Sequence, residues 1–375
     1  MKKGENKTKI IETLPKKVNI QLAALNPFIQ SNSVSSEEKE VQGKNFIAWG
    51  DDNQFPNYLY DLYESCSTLQ SIINGTTDFI TGDDVIVNNP RFQERVNEAG
   101  DTMFNLIQKL AADYLIFGGF ALQVIQDSNG DVSELYWIDF SKVRSNKKNT
   151  ILFFSEEWNK TYGRVKYLEY PKWGKDENNN TSIVYFKNNH SRSVYPTPLY
   201  KASIKSCEIE KKINDFHLNE ISNNFLSSKI INFNGGVPDD DLKNEIEKNI
   251  NEKFSGAENA GRILVSFNDN KESETTVTDL STDDFADRYE QLQKRSREQI
   301  FIAFRATPNL FGLPTDTTGF NEQEFNESFK LYNKTVVKPV QTNILNAVNS
   351  VLGENTVIIK PFTLNSDSNE QSIIN

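Results

Sequence analysis

DDFADRYEQLQKRSREQIFIAFRATPNLFGLPTDTTGFNEQEFNESFKLYNKTVVKPVQTNILNAVNSVL, residues 283–352, holds two long apolar stripes separated by a punctuated loop. In the first stripe Phe285, Tyr289, Leu292, Ile300 and Phe304 recur at helical steps, with Ser296 interrupting. Pro308, Gly312, Pro314 and Gly319 exclude a helix running through 307–320. A second helix opens near Asn321 and carries Phe325, Phe329, Tyr332, Val336, Val340, Ile344 and Val348 on one face. Pro339 lies inside that run. It has no N–H for the bond to the preceding turn, so the expectation is a kink in a helix that continues. Helix, loop and kinked helix are architecture rather than catalytic chemistry.

Upstream, residues 1–45 are polar, mixed in charge and without periodicity, which predicts a mobile arm with order starting at Phe46. Asp51, Asp52, Asn53 and Pro56 are turn chemistry ahead of a helical stretch with Leu59, Leu62, Tyr63, Leu69, Ile72 and Ile73. Met103, Leu106, Ile107, Leu110 and Tyr114 predict a helix over 102–117, ended by Gly118 and Gly119. FALQVIQ, ELYWIDF, TILFFS, VKYLEY and SIVYFK then read as strands, and KDENNNT (175–181) as an exposed hairpin tip. Residues 199–228 predict one helix. SKIINFN, a short helix behind Pro238 and Asp239–Asp241, and GRILVSF form a small unit after it. The fold class is α+β.

Four stretches carry a resemblance to one family. REQIFIAFRATPNLFGLPTDTTGFNEQEFNESFKLYNKTVVKPVQTNIL resembles the C-terminal core of tailed-bacteriophage portal proteins. FIAWGDDNQFPNYLYDLYESCSTLQSIINGTTDFITGDD (46–84) resembles their N-terminal core. YPTPLYKASIKSCEIEKKINDFH (195–217) resembles the helix toward the narrow end, and GGVPDDDLKNEIEKNINEKFSGAENAGRILV (235–265) the small domain there. The stretches occur in the family's order over most of the chain.

The resemblance implies a head–tail connector ring subunit with an arm (1–45), an α+β wing (46–198), a stem helix (199–228) and a small α/β clip (229–275). A return segment and second stem helix (276–306), a tunnel loop (307–320), a Pro-kinked helix (321–352) and a C-terminal wing strand and tail (353–375) complete it. The large crown of longer relatives is expected to be absent or vestigial. The implied function is a closed dodecameric ring at one capsid vertex, conducting double-stranded DNA during packaging and ejection. The implied partners are the terminase large subunit, a head–tail adaptor or connector, and the major capsid or scaffold protein, in the virion and in the host cytoplasm during assembly. Tunnel-loop candidates are Thr307, Asn309, Leu310, Phe311, Thr315, Asp316, Thr317 and Thr318. Arg288, Lys294, Arg295, Arg297 and Arg305 would face the bore or a neighbouring subunit. Asp239, Asp240, Asp241 and Lys243 would form the clip's docking surface, and Pro339 the helix kink.

Composition permits this. The net charge is −11 and 37% of residues are hydrophobic, which suits an elongated subunit, one that buries surface against neighbours, or a loop-rich monomer. Lys and Arg contacts to phosphate add affinity and friction, so a conduit avoids them. The segment from Ala306 to Asn321 has neither. An ordinary exposed loop would look similar. The most apolar run, 115–125, is shorter than the roughly 18 residues a membrane span needs. The expectation is a soluble, cytoplasmically made protein with no membrane partner.

Other functions find less support. The two histidines, His190 and His217, have no recognisable nucleophile partner, and no phosphate-cradling Gly-Lys-Ser/Thr loop occurs. No cofactor, metal or catalytic residue is expected. Asp51–Asp52, Asp83–Asp84, Asp239–Asp241 and Asp283–Asp284 could serve a metal-dependent nuclease, but each falls at a turn or helix start, where Asp caps. Trp49, Trp137, Trp158 and Trp173 could serve a receptor- or carbohydrate-binding virion protein if exposed. Cys66 and Cys207 are in no metal spacing and are expected to be reduced and buried.

Overall fold

The computed structural model describes residues 35–160, 165–176, 179–189, 191–222, 229–233, 238–254, 263–267, 283–313 and 322–363. The chain divides into a larger unit, Ser33–Asp215 with Thr282–Asn375, and a smaller one, Met1–Asn32 with Phe216–Ser281.

In the larger unit, β1 (Glu38–Glu40) pairs antiparallel with β2 (Ile47–Trp49). The predicted arm is thus too long at its inner end. The Glu38 carboxylate accepts from Tyr195 N–H at 2.7 Å, and Lys39–Asp51 and Lys147–Glu40 ion pairs flank the hairpin, so it is tied down before Phe46. Helices α1 (Phe55–Ser65) and α2 (Ser67–Thr81) follow, then β3 (Asp84–Val87) and α3 (Met103–Phe117). Thr102 caps α3 by accepting from Asn105 N–H, and Gly118 ends it in the left-handed conformation, φ 85°.

Strand β4 (Gly119–Gln126) lies between β5 (Val132–Ile138) and β9 (Thr181–Lys187), all antiparallel. Phe120, Ala121, Leu122 and Val124 are all fully buried, so both faces of β4 are covered, as a continuous apolar run requires. A second antiparallel sheet orders β6 (Val143–Ser145), β7 (Ile151–Phe154) and β8 (Leu168–Pro171). Among the described residues the expected hairpin over 175–181 has no paired strands, because β8 pairs with β7 and β9 with β4 in different sheets. A parallel bridge, Lys172 to Ile183, connects them.

The predicted helix from 199 starts later. Lys201–Ser203 is a 3-10 turn and α4 runs Ile204–Ser222, since Lys201 N–H closes a turn onto Pro198 O at 3.1 Å. The chain passes into the smaller unit within α4. There β10 (Lys229–Phe233) and β11 (Ile263–Phe267) pair in parallel, with α5 (Asp240–Phe254) between them in sequence. Phe233 and Phe267 stack at 5.3 Å.

Back in the larger unit, α6 (Asp283–Phe304) buries residues of its C-terminal half. Ser296, Ile300, Phe301 and Phe304 are buried, while Leu292 is exposed. Then come α7 (Glu322–Tyr332), a π-helical turn at Asn333–Val337, α8 (Lys338–Leu352) and β12 (Val357–Lys360). Strand β12 pairs with β3, joining distant parts of the sequence, and Lys360 reaches Asp84 at 2.9 Å. This closure requires Gly82: at φ 73° a Cβ there would sit 2.0 Å from Lys360 O.

The π turn explains the apolar spacing of this segment. Tyr332, Val336, Val340, Ile344 and Val348 are separated by four residues and all buried. In an α-helix four residues overshoot one turn by about 40°, so such a stripe drifts around the axis. One turn bonded i to i+5 takes up most of the excess, and Lys338 N–H bonds Asn333 O accordingly. The irregularity is therefore centred on 333–337, ahead of Pro339. Pro339 lies in the first turn of α8, where its missing N–H is tolerated.

Candidate functional site

Around the loop after α6, helix α6 ends with Arg305 at φ 54°, and Ala306 N–H bonds back to Phe301 O at 3.0 Å. Pro308–Phe311 makes one 3-10 turn closed by Gly312 at φ 78°. Leu310 is buried. The Phe311 ring lies against Phe301, Tyr332 and Phe79 at 6.0, 6.0 and 6.2 Å and close over Gly75. Both side chains belong to the core, which corrects their inclusion among channel-facing candidates: an apolar residue in a short loop anchors it. Thr307 is exposed, and Asn309 is half-buried with an Oδ1 that has no donor. Thr315, Asp316, Thr317 and Thr318 lie outside the described residues.

The basic candidates separate by face. At about 100° per residue, Arg288 and Arg295, seven apart, share the side of α6 opposite the buried stripe. Both are exposed, as is Lys294, while Arg297 is half-buried. Arg295, Arg297 and Arg305 form no ion pair among the described residues. In the smaller unit Asp239 accepts from Leu242 N–H at 2.9 Å, and Lys243 is held by Asp240 at 2.9 Å. Asp239, Asp240 and Asp241 thus cap and complement the start of α5.

The acids of the Asp51–Asp52 and Asp83–Asp84 pairs also have structural partners. Asp52 caps Gln54 N–H, Asp83 accepts from Thr363, and Asp51 and Asp84 are ion-paired. Among the described residues no three His, Cys, Asp or Glu side chains could hold a metal. The aromatic alternative meets burial. Trp49 stacks on Tyr195 at 4.5 Å, Trp158 is buried, and Trp137 donates Nε1–H to Asp113 at 2.8 Å; Trp173 is half-buried against the core. None is a free stacking platform.

Three interior arrangements were not visible in the sequence. Arg144 is fully buried between Trp49 and Trp158, donating to Asn53 Oδ1 and to the carbonyls of Asn53, Ser141 and Val143. Cys66 and Cys207, remote in sequence, are both buried and free. The hydrogen bond with Cys66, then burial, pushes the Cys207 thiol far up. Glu210 on α4 accepts from Ser67 Oγ and Thr68 N–H, capping α2 across the fold.

Two adjoining cavities of about 180 and 340 Å³ lie beside the π turn and share Leu199, Arg305 and Val336.

A model of the phage portal protein family matches residues 88–368. Among solved structures, the chain resembles one in the virion of a native gene transfer agent particle: 18% identity, TM-score 0.52, 88% of this chain and 86% of that chain covered. It also resembles a chain in the neck of an empty gene transfer agent particle computed with C6 symmetry: 16%, 0.51, 88% and 87%. A third likeness is to the neck of a native particle computed with C12 symmetry: 18%, 0.50, 82% and 84%. At such identities the likeness concerns the fold. No curated protein sequence matches the chain.

Proposed function

The chain belongs to the phage portal protein family, and we propose on that footing that it assembles as a closed dodecameric ring at one capsid vertex. Through its centre double-stranded DNA would pass inward during packaging and outward during ejection. The family match over residues 88–368 carries this reading. Head-to-tail contacts related by a rotation axis close such a ring and leave a central opening. The C12 symmetry of a similar neck favours twelve copies, while the C6 neck makes ring number a quantity to measure.

In this reading 46–198 forms the wing, α4 and α6 the stem, 229–275 the clip, and 353–363 the returning wing strand. Terminase would dock on the clip near Asp239–Asp241 and later give way to a head–tail connector, with capsid or scaffold protein around the wing. These are binding events by surfaces, so no residue is assigned a catalytic role.

The bore-facing part of 307–320 is narrowed to Thr307, Asn309, Thr315, Asp316, Thr317 and Thr318. A stretch without Lys or Arg holds no phosphate strongly and lets a polyanion slide. Replacing 314–320 by a short Gly-Ser linker keeps the Leu310–Phe311 anchor. Rings should form normally, while packaging slows or stops. Packaging at the wild-type rate would remove this loop from the mechanism.

A further inference from the structure

We propose that the paired cavities beside the π turn form a socket for a carboxylate-bearing segment of the neighbouring copy in the ring. The inference rests on the ring reading above and assigns one of its contacts. The walls are apolar, from Leu199, Ala202, Phe304, Val336, Pro339 and Val340. Lys201 and Arg305 also line them, no carboxylate does, and neither cation has an ion-pair partner among the described residues.

Arg305 occupies the left-handed position after α6 at φ 54°, where glycine would be relaxed. A non-glycine residue there carries a backbone cost, and this one places its guanidinium on the lining of both cavities. Asn188 supplies the second requirement. It is 2% exposed and lines the smaller cavity. Its N–H donates to Gly118 O at 2.9 Å and its Nδ2 to Thr197 O at 2.7 Å, but its Oδ1 has no donor. A peptide segment carrying an acid side chain provides both missing groups, a backbone N–H for Asn188 and a carboxylate for Arg305 and Lys201.

The occupant is argued to be a second copy on two grounds. The chain carries a net charge of −11, so its own surface supplies carboxylates to a basic socket. On the same helical segments, Ile302 and Leu331 are 64% and 65% exposed; Ile302 precedes the wall residue Ala303, and Leu331 O accepts from the wall residue Thr335 at 2.8 Å. Apolar walls around a charged centre suit a protein partner. A DNA backbone offers nothing for the apolar walls and cannot enter cavities of this size.

The test places a photo-crosslinking amino acid at the exposed position Lys201 in full-length rings mixed from ¹⁴N and ¹⁵N chains. The expected product joins light and heavy copies through an Asp- or Glu-containing peptide. In parallel, Arg305→Gly relaxes the backbone while removing the guanidinium. Its monomer should melt no lower than wild type, yet its ring should dissociate at about tenfold higher protein concentration. Arg305→Glu should weaken the ring further, most at low salt. Crosslinks confined to one copy, crosslinks to DNA in filled particles, or Arg305→Gly and Arg305→Glu rings as robust as wild type would each overturn the socket while leaving the ring in place. If wild-type chains form no ring, the portal reading fails first and the socket falls with it.

Discussion

Removing the Arg144 guanidinium should be among the most costly single changes in the larger unit. Four hydrogen bonds from it run 2.5 Å to Asn53 Oδ1, 2.7 Å to Ser141 O, and 2.8 Å each to Val143 O and Asn53 O among the described residues, with the ring of Trp158 at 5.1 Å and that of Trp49 at 5.9 Å. In Arg144→Met the aliphatic stem stays but the three carbonyls lose these donors. Asn53 Oδ1 keeps its bond from Trp49 N–H at 2.9 Å. At the low end of about 1 kcal/mol for each buried carbonyl left wanting, the loss is about 3 kcal/mol. Loss of the cation stacked between two indoles brings it to about 4 kcal/mol. Arg144→Lys restores the charge but not the planar fork and should recover less than half. Urea melts followed by tryptophan fluorescence read this directly, since two of the four tryptophans flank the site. A variant within about 1 kcal/mol of wild type would refute the argument, because those carbonyls would then be satisfied without the arginine.

Phe311→Ala removes a half-buried ring that fastens the loop. It should cost about 2 kcal/mol in the same melts and slow packaging, and an unchanged packaging rate would detach the anchor from function. Pro339→Ala restores an N–H, yet the π turn should persist. An α-helical register there would rotate α8 by about 100° and unseat Val340, Ile344 and Val348, each worth about 1.5–3 kcal/mol, against about 1 kcal/mol for one hydrogen bond. A straightened helix in the variant's structure would show the proline to be the cause. Asp113 is buried, and burial raises its carboxyl well above the usual range against the opposing Trp137 hydrogen bond. The native state therefore holds this proton more tightly than the unfolded chain, and the contribution present at low pH is lost as pH rises through the shifted value. Asp113→Asn should gain on wild type in urea midpoints as pH rises above the unfolded carboxyl's value of about 4, and a constant difference would contradict this.

Much of this fold could be read from periodicity alone. The helix expected over 102–117 is Met103–Phe117, and the strands from FALQVIQ to SIVYFK all appear, because local pattern and tertiary burial agree there. Pairing was less legible. Nothing local distinguishes a β8–β9 hairpin from two strands in separate sheets, and nothing in an acidic, Ser-rich N-terminal stretch announces that Glu38 holds Tyr195. The π turn did leave a signal, the unbroken four-residue spacing from Tyr332 to Val348, masked by the more conspicuous Pro339. Around the loop, the absence of Lys and Arg was visible at once, but the inward packing of Leu310 and Phe311 depends on Gly75, Phe79 and Tyr332, distant in sequence. Arg144 and Arg305 look like any other arginines until burial and backbone conformation separate them.

The central claim is a ring with an open centre. Mass photometry of the purified chain, with negative-stain class averages of the same sample, tests it most directly. Twelve copies of the 42.8 kDa chain would appear near about 510 kDa with an axial hole. A species no larger than a dimer, both alone and after co-expression with the capsid protein, would contradict the account.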